Sequence, residues 1–272
     1  MSVGTDTRVC IAGLGAIGQV VALELDKGGI PGLKLGAVSA RNKEKAQEFV
    51  RKLAQPVPVV DLGELCDYGD IVVECAPAAL LSQIAEPVLA RHKKLIVLSA
   101  GALLSNPHLK QAALDGGGTI LVPTGALLGL DAVLAAAEGK IHTVRMITRK
   151  PPKGLLGAPF LTENNISLDN LKEPLKIFSG TAREAAKGFP ANLNVAVALS
   201  LAGVGPDLTT LEIWADPTVT RNTHRIEVDS DSARLTMTIE NIPSDNPKTG
   251  VITARSVIAL LRKMSAPLRV GT

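Results

Sequence analysis

The chain has 272 residues, 46% of them hydrophobic and 20% charged, with a formal net charge of +3. This composition excludes disorder for most of the length, and a small net charge without a long Lys/Arg run excludes an electrostatic nucleic-acid binder. Six aromatic residues are too few for a base-stacking platform, and three cysteines (Cys10, Cys66, Cys75) without a CxxC spacing argue against both a disulfide framework and a metal site.

In chain order, residues 8–12 (RVCIA) form a short apolar run that reads as a buried strand. Gly13-Leu14-Gly15-Ala16-Ile17-Gly18 follows at once, and residues 17–26 have the apolar spacing of a helix. Residues 33–38, 71–75, 95–99 and 120–122 read as further strands, with helices expected over 42–53 and 78–90. Strands alternating with helices indicate βαβ units and a parallel sheet. From about Pro123 the alternation stops. Strands are expected over 141–148, 210–215, 224–228 and 234–240, a small-residue helix over 192–203, a loop over 244–250 and a final helix over 249–263 that packs back on the first domain. The fold class is therefore α/β: a Rossmann-type doubly wound parallel sheet, with a second α/β domain built on a mixed or antiparallel sheet. The domains expected are 1–123 plus about 248–272 for dinucleotide binding, and 124–247 for substrate binding, catalysis and dimerisation. No leader pattern is evident, and the most apolar long window, 119–137, is interrupted by Pro123 and Asp131, so a cytoplasmic protein without a membrane span is expected.

The glycine segment stands where a dinucleotide-binding turn requires it, after a strand and opening a helix. Gly13 permits a tight turn, Gly15 lets backbone approach a pyrophosphate, and Gly18 lets the helix pack closely on the strand. The helix start, with Ala16 and Ile17, offers free N–H groups to the phosphates. About 20 residues on, the stretch Val38-Ser39-Ala40-Arg41-Asn42 carries no carboxylate for a ribose 2′-hydroxyl. Arg41 stands there instead, a cation suited to a 2′-phosphate, so NADP is expected to be accepted along with NAD.

Histidine is the usual acid–base group near neutral pH, and there are four. His92 lies in the basic run Arg91-His92-Lys93-Lys94, His108 in a surface helix and His142 in a strand beside polar residues. His224 closes a polar segment between two strands and is the leading candidate. No GxSxG elbow or HExxH motif is present.

Four segments in order carry a family resemblance: Pro123-Thr124-Gly125-Ala126-Leu127-Leu128-Gly129-Leu130-Asp131-Ala132; Thr148-Arg149-Lys150-Pro151-Pro152; Phe189-Pro190-Ala191-Asn192-Leu193-Asn194-Val195; and Ala215-Asp216-Pro217 followed by Arg221-Asn222-Thr223-His224. Together with the glycine turn they resemble the L-aspartate dehydrogenase family over nearly the whole chain. Thr124 and Leu127 depart from the usual Ser and Ile. The resemblance implies reversible NAD(P)-dependent oxidation of L-aspartate to iminosuccinate, which hydrolyses to oxaloacetate and ammonia or feeds NAD biosynthesis. It implies an active-site role for His224, cofactor contacts near the nicotinamide from Ala126 and Asn192, and a homodimer; no metal is expected. A dicarboxylate substrate needs cations or amide donors, and Arg149, Lys150, Asn194 and Asn222 are candidates by location. A reductase of the dihydrodipicolinate reductase kind, or a dinucleotide-binding protein without turnover, are the alternatives.

Overall fold

The computed structural model describes residues 7–190, 193–243 and 250–272. Asn192 and residues 244–249, most of the expected loop, lie outside them. The described chain falls into two compact units: one runs to Pro123 and includes Ala254–Val270, the other comprises Thr124–Thr253 with Gly271–Thr272.

In the first unit, strands β1 (Thr7–Ala12), β2 (Leu33–Ser39), β3 (Ile71–Glu74), β4 (Lys94–Val97) and β5 (Thr119–Leu121) form a parallel sheet in the order β2-β1-β3-β4-β5. Helices α1 (Ala16–Asp26), α2 (Lys43–Val50), α3 (Leu65–Tyr68), α4 (Leu81–Leu89), α5 (Ala100–Ser105) and α6 (His108–Gly116) connect them. The strands are apolar on both faces because each face meets a separate core. Val9, Ile11, Ile71 and Val73 enter one core, and Cys10, Ala12 and Val72 the other. The strand order reverses between β1 and β3, where doubly wound folds open a crevice at the carboxyl ends of the strands.

The second unit holds helices α7 (Leu130–Ala137), α8 (Pro159–Glu163), α9 (Ala182–Gly188) and α10 (Asn194–Ala202). Its strands β6 (Ile141–Lys150), β7 (Leu175–Thr181), β8 (Thr209–Ala215), β9 (Asn222–Ser230) and β10 (Arg234–Asn241) form a sheet in the order β10-β9-β6-β8-β7. The sheet is mixed, because β6 and β8 pair in parallel while every other neighbouring pair is antiparallel. Val144, Met146, Ile226 and Val228 are buried on one face, each worth about 1.5–3 kcal/mol of apolar burial. Helix α10 is buried along almost all of its length, as its mostly apolar residues require. Where α10 ends, a Cβ added at Gly203 would stand 3.3 Å from Val144 Cγ2, so a side chain there would press on the sheet.

The last helix, α11 (Val251–Ser265), returns to the first unit, with Val257 and Leu261 fully buried in the core that contains Val9 and Ile11. Their i, i+4 spacing puts both on one helix face.

Candidate active site

The glycine turn is shaped by contacts that only glycine tolerates. Gly13 has φ +103°, and its amide donates to Ser39 O at 2.7 Å, which ties the turn to the end of β2. A Cβ at Gly13 would lie 2.6 Å from Cys75 O, and one at Gly18 would lie 1.9 Å from Gly13 O. Both positions are closed by the protein's own backbone. Gly15 is the opposite case: nothing lies within 4 Å of a Cβ built on it. It caps α1 without a side-chain hydrogen bond, and the first turn of that helix contains no acidic residue. Open space over bare helix N–H groups fits a dinucleotide pyrophosphate. Arg41 follows at the end of β2, exposed, beside Asn42, whose Oδ1 caps α2 by accepting from Lys45 N at 2.9 Å.

Sequence reasoning missed Glu74, the last residue of β3, which is fully buried. Its carboxylate accepts from Ala76 N at 3.1 Å, Leu98 N at 3.1 Å, Ser99 N at 2.8 Å and Ser99 Oγ at 3.0 Å. Burial raises its pKa against the pull of these bonds. The available signal was a carboxylate inside the apolar run Ile71-Val72-Val73-Glu74-Cys75.

In the second unit, polar side chains gather where the apolar face of the sheet runs out. His92, His108 and His142 are exposed, whereas His224 is 3% exposed. Strand register sets His224 opposite Thr148, and Thr148 Oγ1 lies 3.2 Å from His224 Nδ1. Burial, followed by the charge of Lys150, pushes the His224 pKa from 6.5 down to about 3. Lys150, two residues past Thr148 on the same face, is itself 3% exposed, and burial lowers its pKa to about 8. The neutral imidazole is therefore the resting form across the neutral range.

Alternation along β6 turns Arg149 to the opposite face from Lys150 and His224. Its Nη1 donates to Asp216 Oδ2 at 2.9 Å and its guanidinium lies 4.8 Å from the Trp214 ring centroid. Asp216 is buried, and although burial pushes its pKa up, bonds from Thr218 Oγ1 and N and from Arg149 hold it below the usual value. The four candidate substrate contacts thus separate: Lys150 joins His224, and Arg149 is engaged on the other face. Asn222 begins β9, two residues before His224, and Asn194 begins α10. Asn192 is outside the described residues.

Ala126 is held from an element that sequence reasoning did not connect to it. Asn241, at the end of β10 and paired in register with Asn222, donates from Nδ2 to Ala126 O at 2.9 Å. Asn241 Oδ1 is buried without a hydrogen-bond partner among the described residues. Before α10, Phe189 anchors the chain: its ring lies 5.2 Å from that of Phe160 and 5.7 Å from that of Phe178. Among the described residues no group of three His, Cys, Asp or Glu side chains has the arrangement to hold a metal ion, and no helix is long and apolar enough to cross a membrane.

Comparison with known proteins places these parts in context. A family model described as aspartate dehydrogenase, C-terminal, matches residues 131–264, and one described as homoserine dehydrogenase, NAD binding domain, matches residues 13–123. The chain is 62% identical over 272 residues to L-aspartate dehydrogenase 3 of Bordetella bronchiseptica, covering 100% of both chains. It is 62% identical to the L-aspartate dehydrogenase of Bradyrhizobium diazoefficiens, covering 98% of this chain and 95% of that one. Among solved structures, aspartate dehydrogenase from Thermotoga maritima has the same fold, with a TM-score of 0.73 at 24% identity over 97% of this chain and 99% of that one.

Proposed function

Because the chain belongs to the L-aspartate dehydrogenase family, we propose that it oxidises the α-amine of L-aspartate with NAD(P)+ to iminosuccinate, NAD(P)H and a proton, reversibly. The buried His224–Thr148–Lys150 cluster carries this reading. Gly13, Gly15, Ala16, Ile17 and Gly18 would hold the cofactor, which would supply the hydride acceptor, and the family resemblance gives Ala126 and Asn192 as its contacts near the nicotinamide. Arg41 favours a 2′-phosphate, which suits NADP beside NAD.

The chain's own residues do the rest. The Cα–H bond yields hydride only when the nitrogen lone pair is free to form C=N, so the substrate ammonium must lose a proton. The His224 tautomer with Nδ1–H directed at Thr148 Oγ1, 3.2 Å away, would leave the lone pair on Nε2 to accept that proton. An imidazole with a pKa near 3 is a weak base; burial is the larger cause, and the substrate acts on the smaller one, the charge of Lys150. Two carboxylates brought beside Lys150 neutralise the charge that depresses His224 and favour the imidazolium. Lys150 binds a substrate carboxylate as the ammonium, with Asn222 and Asn194 as amide donors. The same imidazole then activates water for hydrolysis of the imine to oxaloacetate and ammonia. Release of the imine instead feeds NAD biosynthesis, and the cytoplasm is the compartment assigned.

We also assign a homodimer. The outer face of the second sheet carries both signs of charge, with Arg145 Nη2 2.8 Å from Glu212 Oε1 and Arg149 beside Trp214, which suits self-pairing. The deciding experiment mixes the protein with L-aspartate and NADP+ or NAD+ and follows reduced-nicotinamide absorbance. Turnover is expected, and His224→Ala is expected to lower kcat at least a hundredfold while cofactor binding persists. No turnover with aspartate overturns the assignment, and unchanged kcat in the variant removes His224 from the mechanism.

A further inference from the structure

Glu74 is a buried carboxylate surrounded by hydrogen-bond donors, an arrangement that suits the ionised form. Three of its four hydrogen-bond donors are the backbone amides of Ala76, Leu98 and Ser99, which can only donate. Each oxygen accepts two bonds, with Ser99 Oγ completing the set. These bonds neutralise no charge, and among the described residues no cation joins them in holding the carboxylate. An anion buried without a counter-charge is costly, so its position asks what ligand would complement it.

That position is the carboxyl end of β3, with Leu98 and Ser99 just past the end of β4. The glycine turn after β1 takes the pyrophosphate, and the end of β2, with Arg41, takes the adenosine ribose. In the order β2-β1-β3-β4-β5, the other half of a dinucleotide extends in the opposite direction, over the ends of β3 and β4. This half carries the nicotinamide, whose ring is cationic when oxidised and neutral when reduced.

We propose that the Glu74 carboxylate is a specificity-determining residue that makes the cofactor site favour the oxidised, cationic nicotinamide over an uncharged ring of the same shape. The inference rests on the assignment of a nicotinamide dinucleotide to the glycine turn. Two charges of opposite sign in a site shielded from water attract far more strongly than in bulk solvent, and an effect of about tenfold in affinity is within that range. The same bonds also fix the two loops at the mouth of the sheet, so a change of shape must be separated from a change of charge.

The test is direct binding to the full chain, with no turnover needed. Dissociation constants are measured by calorimetry for NAD+, for its uncharged isostere carrying benzamide in place of nicotinamide, and for NADH. The intact protein is expected to bind NAD+ about tenfold tighter than the isostere. Glu74→Gln is expected to bring these two within twofold, with Glu74→Asp retaining the preference despite weaker binding of all ligands. A difference under threefold in the intact protein overturns the inference whether or not the variants fold. A preference that survives Glu74→Gln overturns it as well. Binding of the isostere equal to NAD+ leaves the dinucleotide assignment standing, whereas failure to bind any of the three removes both.

Discussion

Burying His224 as a neutral imidazole has a consequence for stability that can be measured in isolation. The side chain is 3% exposed and its pKa falls from 6.5 to about 3, burial first and the Lys150 charge second. Above pH 6.5 the ring is neutral in both folded and unfolded chains and the shift has no effect. As pH falls below 6.5 the unfolded chain takes up a proton that the folded chain refuses, so stability is lost progressively down to about pH 3. At ~1.4 kcal/mol per unit, the full window is worth about 5 kcal/mol, of which about 2 kcal/mol falls between pH 7 and pH 5. His224→Gln removes this dependence. Trp214 is the sole tryptophan and sits on β8 of the same unit, so its emission during urea unfolding reports the relevant transition. Between pH 7 and pH 5 the native chain is expected to lose about 2 kcal/mol more than the variant. Groups common to both, including Asp216, cancel. Equal losses in the two proteins would refute the buried neutral imidazole.

Lys150→Met is expected to raise KM for aspartate by about tenfold or more with a smaller change in kcat, the pattern of a lost carboxylate anchor. In the native protein kcat/KM for aspartate is expected to fall as pH rises through about 8, where the free-enzyme ammonium is lost, and a profile level to pH 9 argues against this anchor. Arg41→Ala is expected to raise KM for NADP+ about tenfold while that for NAD+ stays within twofold; an equal loss for both removes the 2′-phosphate role. Arg149→Ala is expected to leave KM for aspartate within twofold but to destabilise the chain by about 1–2 kcal/mol, because the buried Asp216 loses a partner. A large rise in KM with unchanged thermal stability would put Arg149 at the substrate after all.

Much of the fold was legible because its signals are local. The run at β1, the glycine spacing and the apolar strands that follow each announce themselves within ten residues. Strand β7 did not, because its register shifts between Lys176 and Phe178, and Ile177 and Phe178 are both buried, which breaks the alternation a strand is recognised by. The parallel pairing of β6 with β8 is invisible in either strand, since it depends on the long connection between them. At the site, His224 stood out as a histidine in a polar inter-strand segment, but Arg149 and Lys150 looked equivalent. Only the phase of β6, set by Val144 and Met146 on the core face, sends one inward and the other outward. The grip of Asn241 on Ala126 spans 115 positions in sequence, and no local pattern carries it.

Two of the buried ionisable groups share a placement. In each unit the apolar strand face ends in a charged or titratable side chain at the strand terminus: Glu74 after Ile71–Val73 on β3, Lys150 after Met146 and Thr148 on β6. Burial moves both toward their neutral forms, up for the carboxylate and down for the ammonium. A fold selected for stability alone would replace each with an apolar residue of similar volume. On the proposed function their signs match two different ligands, the anion a cationic ring and the cation a dicarboxylate. On the function proposed above, affinity for cofactor and affinity for substrate would be set by separate charges in separate units. Glu74→Gln is therefore expected to act on cofactor binding and Lys150→Met on substrate binding, so that each effect can be told apart from a general loss of structure.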